Sequence, residues 1–462
     1  LGVWDWLAFG RDELALFAAF FFLIGAIDEI AVDALYGWLR LTGKRRTVRV
    51  DEAGLSARPL AGKCAVFIPA WRESGVIGAT IAHTLAAWSS EELWLFVGCY
   101  RNDPDTRAAA QVAVCDDPRV RIVVCDVDGP TCKADCLNHL FDALRHREAE
   151  VRDRVRMVVL HDAEDMVDPA ALAILDRALV ECEFAQLPVL ALPQPRSRWI
   201  AGHYSDEFAE AHAKTMVVRD AVGSAIPGAG VGCAIARDLL DRLDRERGGR
   251  GPFATGALTE DYELGLTIGK VGGRGRFVRA RTGDGRLIAT RAFFPSDLKS
   301  AIRQKTRWTH GIALQGWDRL GWTGGPIELW MQLRDRRGPL AALLLAIAYL
   351  LILAGGIELV LRLAGLSAAG AMTRELRVLL LLNLLALVWR AGVRAIFTAR
   401  EFGLVQGLLA IPRIVVSNTI AILAGRRAVL AYLRSLRGAP FAWDKTEHFG
   451  HPSTTPSAKS SS

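Results

Sequence analysis

Several signatures are missing from this 462-residue chain. No cysteine lies outside the interval from Cys64 to Cys233, and none falls in a long apolar segment. The spacings of the eight cysteines fit no zinc pattern: CKADC (132–136) has three residues between its cysteines and no second pair nearby. Free thiols in a reducing compartment are the expected state, which puts residues 64–233 inside a cell. A GxGxxG loop is also absent. The glycine-rich IPGAGVGCAIAR (226–237) lacks that order and does not directly follow an expected strand, which argues against a dinucleotide site. Neither zinc pairs nor an RNP-like aromatic motif accompanies the net charge of +7, so no nucleic-acid partner is expected.

What is present is a mixture. Hydrophobic residues make up 51% of the chain. A mean hydropathy of +0.21 is high for a soluble protein and low for one made only of membrane spans. The length allows two or three domains. Arginine gathers beside the apolar segments, as it does on the cytoplasmic side of a membrane, and this accounts for a pI near 9.1.

Residues 14–27 are uninterrupted apolar sequence. As a helix they rise only about 21 Å, short of a hydrocarbon core of roughly 30 Å. A spanning helix would have to continue through Asp28, Glu29 and Asp33 to about Trp38, with its acids turned to a bundle interior or water. The alternative ends the helix at Ile27 in the interface. No small-residue cleavage site follows, so the segment is expected to stay as an anchor. Arg40, Lys44, Arg45, Arg46 and Arg49 come next and place the following residues in the cytoplasm. Residues 340–357 carry no charge and form a second expected span. Residues 378–389, broken only by Asn383, return the chain to Arg390 and Arg394. Residues 403–424 hold Pro412 and Arg413, with Arg400, Arg426 and Arg427 flanking both sides. Positive charge at both ends favours an interfacial helix, with a fourth span as the alternative. The expected domains are an N-terminal transmembrane helix (1–39) and a cytoplasmic domain (40–335) with interfacial helices near 203–220 and 298–316. Two transmembrane helices (336–400), the interfacial or fourth segment (401–437) and a cytoplasmic tail with a disordered end (438–462) follow.

Between residues 60 and 300 short apolar runs alternate with helix-like stretches. Residues 63–69, 93–99, 119–125 and 156–162 read as buried strands, and 74–87, 104–114, 133–149 and 169–180 as helices. Asp168-Pro169 suits the start of the last helix, an acid at the N-cap before proline. Such alternation predicts a mostly parallel sheet with covered faces, whose ligands sit beyond the carboxyl ends of the strands.

Each of these four strand ends carries polar residues. They bring Glu73 in PAWRES, Asp103 in YRNDPDT, Lys133 in CKADC, and Asp162, Glu164 and Asp165 in HDAEDMVD. Polar loops are ordinary. Four clusters along one edge, three acidic and one with a lysine, suit a divalent metal and a phosphorylated ligand. Mg²⁺ or Mn²⁺ takes hard oxygen donors, often one or two carboxylates plus substrate phosphates. The competing reading of Asp162–Asp165 is a group of acids near a helix N-terminus, favoured by its dipole. Further on, Thr259, Glu260 and Asp261 stand at an expected helix start. A threonine cap with acids in the first turn is the plain reading, and a carboxylate general base for hydroxyl attack is the functional one. In RQKTRWTHG (303–311), Gln304, Arg307 and Trp308 share a helix face. Arg307 can fork onto a diphosphate and Trp308 can offer its ring to a sugar, while Arg303 and Lys305 are expected to face lipid head groups.

The order PAWxE, NDxD, CKADxLN, DAED, TED, QxxRW resembles the membrane-embedded family 2 glycosyltransferases, the group of cellulose and hyaluronan synthases. The resemblance covers about residues 64–320, and TED with QxxRW is its specific part. GAIDEIAVD, AGHYSDEFAEAHAK and WDKTEHFGHP resemble the phage adsorption protein B branch. The resemblance implies an α/β GT-A fold and an inverting transfer from a UDP-sugar, such as a UDP-N-acetylhexosamine, with Mg²⁺ or Mn²⁺, at a bacterial inner membrane. It implies that Glu73, Asp103, Lys133 and Asp162 bind the UDP-sugar, that Asp162 and Glu164 serve the metal, and that Asp261 with Glu260 is catalytic. Gln304, Arg307 and Trp308 would border the diphosphate and acceptor. The usual acid pair is here Asp-Ala-Glu-Asp, so Glu164 and Asp165 compete for the second metal carboxylate. Asn102 replaces the first of another acid pair. The expected acceptor is a growing exported polysaccharide. The alternatives are a single transfer to a lipid-linked acceptor, or a non-catalytic scaffold or phage-receptor component. Nothing after Pro452 is expected to fold as a cyclic-di-GMP-binding domain, so such a regulator, like an outer-membrane export partner, would be separate.

Overall fold

Three of the four predicted strands are buried on both faces and need no polar alternation, whereas the third, at the sheet edge, exposes Arg121 and Val124. The computed structural model describes residues 3–44, 47–56, 58–365, 372–438 and 450–454. In it the strands are β1 Cys64–Pro69, β2 Leu93–Tyr100, β3 Val120–Cys125 and β4 Met157–Leu160. With β5 Phe184–Gln186, β6 Cys233–Ala236 and β7 Gly275–Phe277 they make one sheet in the order β3-β2-β1-β4-β6-β5-β7. The first four strands are parallel. Strand β6 is antiparallel to β4 and to β5, and β5 pairs with β7 in parallel. The sheet is thus mostly parallel, as expected.

Successive side chains of β1 point to opposite faces. Val66 and Ile68 join Ile77 and Ile81 on one side, while Ala65 and Phe67 join Leu137, Leu140 and Phe141 on the other. Helices Ile77–Ala87, Pro104–Val114 and Lys133–Val151 make the crossovers between the parallel strands. The predicted cap at Asp168 is not used as one. The next helix is Ala171–Ala178 with Ala170 at its N-cap. Asp168 is fully buried and its Oδ2 is taken by the guanidinium groups of Arg286 and Arg291, while Oδ1 accepts from the Ala170 amide. Two cations hold this carboxylate more strongly than amides at a helix end.

Among the described residues four helices are long and apolar enough to cross a membrane: Phe9–Leu41, Gly338–Leu363, Arg374–Phe402 and Leu404–Ser435. The first does not stop at Ile27. It runs on through its acids because each is neutralised inside the protein. Asp28 meets Arg334 and Arg337, Glu29 meets those two and Arg390, and Asp33 meets Lys214. Asn383 donates to Ala19 O at 2.9 Å across two of the long helices. The last helix, read from sequence as interfacial or a fourth span, is continuous through Pro412. Arg413, within this helix, is only 1% exposed. It ion-pairs Asp206 at 2.9 Å and donates to Arg198 O at 2.7 Å.

The expected interfacial stretch at 203–220 becomes helix Ile200–Glu210, a π-turn at 211–215 and helix Met216–Ala221, with many of its side chains buried. It packs on three of the long helices. All eight cysteines are free. Arg45, Arg46, most of the loop at 367–373 and the low-complexity stretch beyond Thr454 lie outside the described residues.

Candidate active site

Parallel strands deliver their following loops to one edge. A cavity of about 530 Å³ opens there. Glu73, after β1, and Lys133, after β3, both line it, as do Asp162 and Glu164 after β4. Glu260 and Asp261, at the start of helix Glu260–Thr267, and Gln304, Arg307 and Trp308, on helix Leu298–Thr309, complete the predicted set. Asp103 is the exception. It caps helix Pro104–Val114 by accepting from Thr106 N and also accepts from Arg72 N, so it shapes the PAWRES loop and does not reach the cavity wall.

Charge in the cavity is arranged in opposition. Lys133 Nζ lies 2.5 Å from Asp162 Oδ1 and donates to Gly230 O at 3.1 Å. Burial disfavours its charge, but Asp162, Glu260 and Asp261 outweigh that and hold its pKa above the usual lysine value. Burial, then the neighbouring Asp261, pushes the Glu260 carboxyl up to about 7 against the pull of Lys133. Burial raises Asp261 as well. Its Oδ1 accepts from Tyr262 N at 2.8 Å. Thr259, the plain candidate for a helix cap, makes no side-chain cap bond.

The two candidates for the second metal carboxylate, Glu164 and Asp165, differ in their surroundings. Asp165 Oδ2 accepts from His161 Nδ1 at 3.0 Å and from Asp162 N at 2.8 Å, which commits that carboxylate to its own turn. Glu164 lines the cavity beside Asp162. Among the described residues no three His, Cys, Asp or Glu side chains group to hold a metal ion. Two carboxylates still fit a hard divalent cation that takes its other oxygens from water and a diphosphate.

Lys305 departs from expectation. It does not turn to lipid but bonds Glu207 at 2.5 and 2.6 Å and lies 5.1 Å from the Tyr204 ring and 5.0 Å from the Trp308 ring. The reason is helical spacing, since residue 305 neighbours residue 308. Trp308, Phe208 and Phe294 form an aromatic wall of the cavity. Gln304 is 9% exposed, and its buried Oε1 has no hydrogen-bond partner among the described residues.

The sequence reading noted the glycine-rich loop at 226–237 without placing it at this edge, and it did not single out Gln186. The loop 227–231 lines the cavity although it precedes a strand, because antiparallel β6 starts at the edge where the parallel strands end. Its Gly230 has φ +73°, and a Cβ there would stand 2.8 Å from Asp261 Oδ2 and 3.1 Å from Lys133 Nζ. Gln186, fully buried at the end of β5, holds this loop. Its Nε2 donates to Val231 O at 2.8 Å and its Oε1 accepts from Ala229 N at 2.9 Å. No motif marked it.

The chain is similar to several known proteins. Bacteriophage adsorption protein B of Escherichia coli (strain K12) is 32% identical over 98% of the chain. Bacteriophage N4 adsorption protein B of Escherichia coli O157:H7 has the same identity and coverage. The chain spans 64% of the length of these curated relatives. A mannosyltransferase, PcManGT from Pyrobaculum calidifontis, solved in complex with GDP-Man and Mn²⁺, shares the fold. It has a TM-score of 0.51 at 16% identity, over 87% of this chain and 99% of that one. The fold is therefore of the GT-A glycosyltransferase type. The model described as glycosyltransferase like family 2 matches residues 61–311, more than half of the chain, and the chain belongs to that family.

Proposed function

We propose that the protein is an inverting membrane glycosyltransferase that moves a sugar from a UDP-sugar, of the N-acetylhexosamine class, to a growing exported polysaccharide. One observation carries this reading: the Asp162/Glu164, Lys133, Glu260/Asp261 and Gln304/Arg307/Trp308 groups all line a single cavity. In the transfer, an acceptor hydroxyl oxygen bonds to the anomeric carbon while the bond from that carbon to the diphosphate oxygen breaks. Asp261 takes the hydroxyl proton. Lys133 and Arg307 neutralise charge gathering on the diphosphate. A Mg²⁺ or Mn²⁺ ion held by Asp162 and Glu164 would add electrostatic stabilisation of that leaving group. Trp308, with Phe208 and Phe294, gives the acceptor sugar apolar faces to stack on.

The four long helices and the basic residues after the first support a multi-pass protein of a bacterial inner membrane with its transferase domain in the cytoplasm. The acceptor end of the cavity adjoins the helices at 200–210 and 298–309, which pack on Leu404–Ser435. That contact favours a product passed toward the membrane. An export partner and a separate cyclic-di-GMP-responsive regulator belong to the same proposal.

The test is a UDP-release screen of the purified protein across UDP-sugars with Mg²⁺ and with Mn²⁺. Release with one donor, and a polymer ladder on a gel, supports the reading. Release with a one-to-one transfer to extracted lipid overturns the polysaccharide acceptor, and no release with any donor overturns the activity.

A further inference from the structure

The loop 161–168, which carries Asp162 and Glu164, is held by side chains that seize its backbone carbonyls. Thr80 Oγ1 bonds Ala163 O, His83 Nε2 lies 2.9 Å from Val167 O, and Trp88 Nε1 donates to Asp168 O at 3.0 Å. All three come from helix Ile77–Ala87 or its C-cap. The fourth comes from far away in sequence. His451 Nε2 lies 3.0 Å from Asp165 O, and the histidine is 1% exposed. A carbonyl only accepts, so Nε2 carries the hydrogen and Nδ1 is left to accept. Ser453 supplies both donors for it, through its amide at 3.2 Å and its hydroxyl. The imidazole ring lies 5.8 Å from that of His83, tilted by 52°, and the short helix Pro452–Thr454 packs on the same Ile77–Ala87 helix.

We infer that His451 is a positioning residue for the transferase: docking of the segment 450–454 completes the clamp that holds the Asp162–Glu164 turn in shape for its metal and diphosphate. The other three clamps are built into the domain core, so His451 makes this turn depend on the C-terminal segment. The inference rests on the metal reading given above for what the turn does, but not for the clamp itself.

Hydrogen–deuterium exchange of the full-length protein in detergent separates the two. The amides of Asp162, Asp165 and Met166 are bonded within or across this turn, so peptides covering 162–166 report on it. His451→Ala is expected to speed exchange there about fivefold, the loss of one net hydrogen bond, while β1 and β4 keep their protection. His451→Gln, which keeps a side-chain N–H, is expected to restore most of it. In UDP-release assays His451→Ala should raise the Mn²⁺ concentration for half-maximal rate about fivefold and leave the donor KM at saturating Mn²⁺ unchanged. Exchange at 162–166 that is the same in His451→Ala and the parent overturns the clamp. Faster exchange with an unmoved Mn²⁺ requirement overturns the positioning role. If Mn²⁺ alone leaves exchange at 162–166 unchanged in the parent, the metal reading fails separately.

Discussion

Lys133 Nζ sits 2.5 Å from Asp162 Oδ1 and 3.1 Å from Gly230 O, so one ammonium joins the acidic turn after β4 to the glycine loop before β6. On the proposed function it would meet the donor diphosphate if a metal ion were held by Asp162. Lys133→Met removes that donor and leaves Asp162 facing Glu260 and Asp261 without their shared cation. A hydrogen bond to a charged group contributes about 1.5–3 kcal/mol. The donor KM in UDP release should therefore rise roughly 10- to 100-fold. Lys133→Arg should not restore it, because a planar fork replaces a compact charge in a tight site. An unchanged KM would remove Lys133 from the donor site.

In the proposed mechanism Asp261 and Glu260 act together at one short helix start. Asp261→Asn should cut turnover by about 10²–10⁴-fold, the range for a lost general base, with insertion and melting temperature unchanged. Glu260 is pushed up to about 7 by burial and by Asp261. A carboxyl raised in this way is protonated below that value, so kcat/KM should fall as pH drops through about 7. Glu260→Gln should move this acid limb to lower pH. A limb that stays near 7 in that variant would assign the titration to another group.

How much of this was readable in advance follows from where each signal lies along the chain. Strands β1 to β4 are local apolar runs, and residues following them reach the ligand edge by the rule for parallel sheets, so Glu73, Lys133, Asp162 and Glu164 could be placed. Gly230 and Gln186 could not, because that rule says nothing of an antiparallel β6 entering from the same edge. Asp103 carried an ambiguous signal: an acid before proline is both a helix cap and a site candidate, and the amide bonds decided for the cap. The surroundings of Arg413 were unreadable for a related reason. Its charge counts against a span only if it faces lipid, and its partner Asp206 lies 207 residues away.

The glycine loop gives a third prediction. Gly230→Ala would place a Cβ at φ +73° within 2.8 Å of Asp261 Oδ2. The residue must both adopt a left-handed conformation, which costs about 1–2 kcal/mol, and push the carboxylate aside. Turnover should fall at least tenfold while the donor KM changes less, because the displaced group is the proposed base. Gln186→Leu frees the same loop by removing the bonds to Val231 O and Ala229 N, and should give a weaker copy of this phenotype. A variant that lost KM alone would move the loop's role to the donor.

The Arg413–Asp206 pair predicts how the last long helix is fastened. Both side chains are 1% exposed, 2.9 Å apart, and Gly202 lies beneath the guanidinium, where a Cβ would stand 2.6 Å from Cζ. Removing one member of a buried pair strands the other and costs about 3–5 kcal/mol, whereas replacing both by apolar residues costs far less. Arg413→Met should therefore lower the melting temperature in detergent sharply, and adding Asp206→Leu should recover part of the loss. Burial already pushes Asp206 up to about 6, against the pull of Arg413. Its folded pKa exceeds its unfolded one, so its contribution to stability is present at low pH and lost as pH rises through about 6. Without Arg413 the folded value rises further, and the deficit of Arg413→Met should grow between pH 5 and pH 8. Melting curves of parent and variant across that range (roughly three pH units) check the sign. A deficit that shrinks toward pH 8 would show that the Asp206 carboxylate is not what the arginine stabilises.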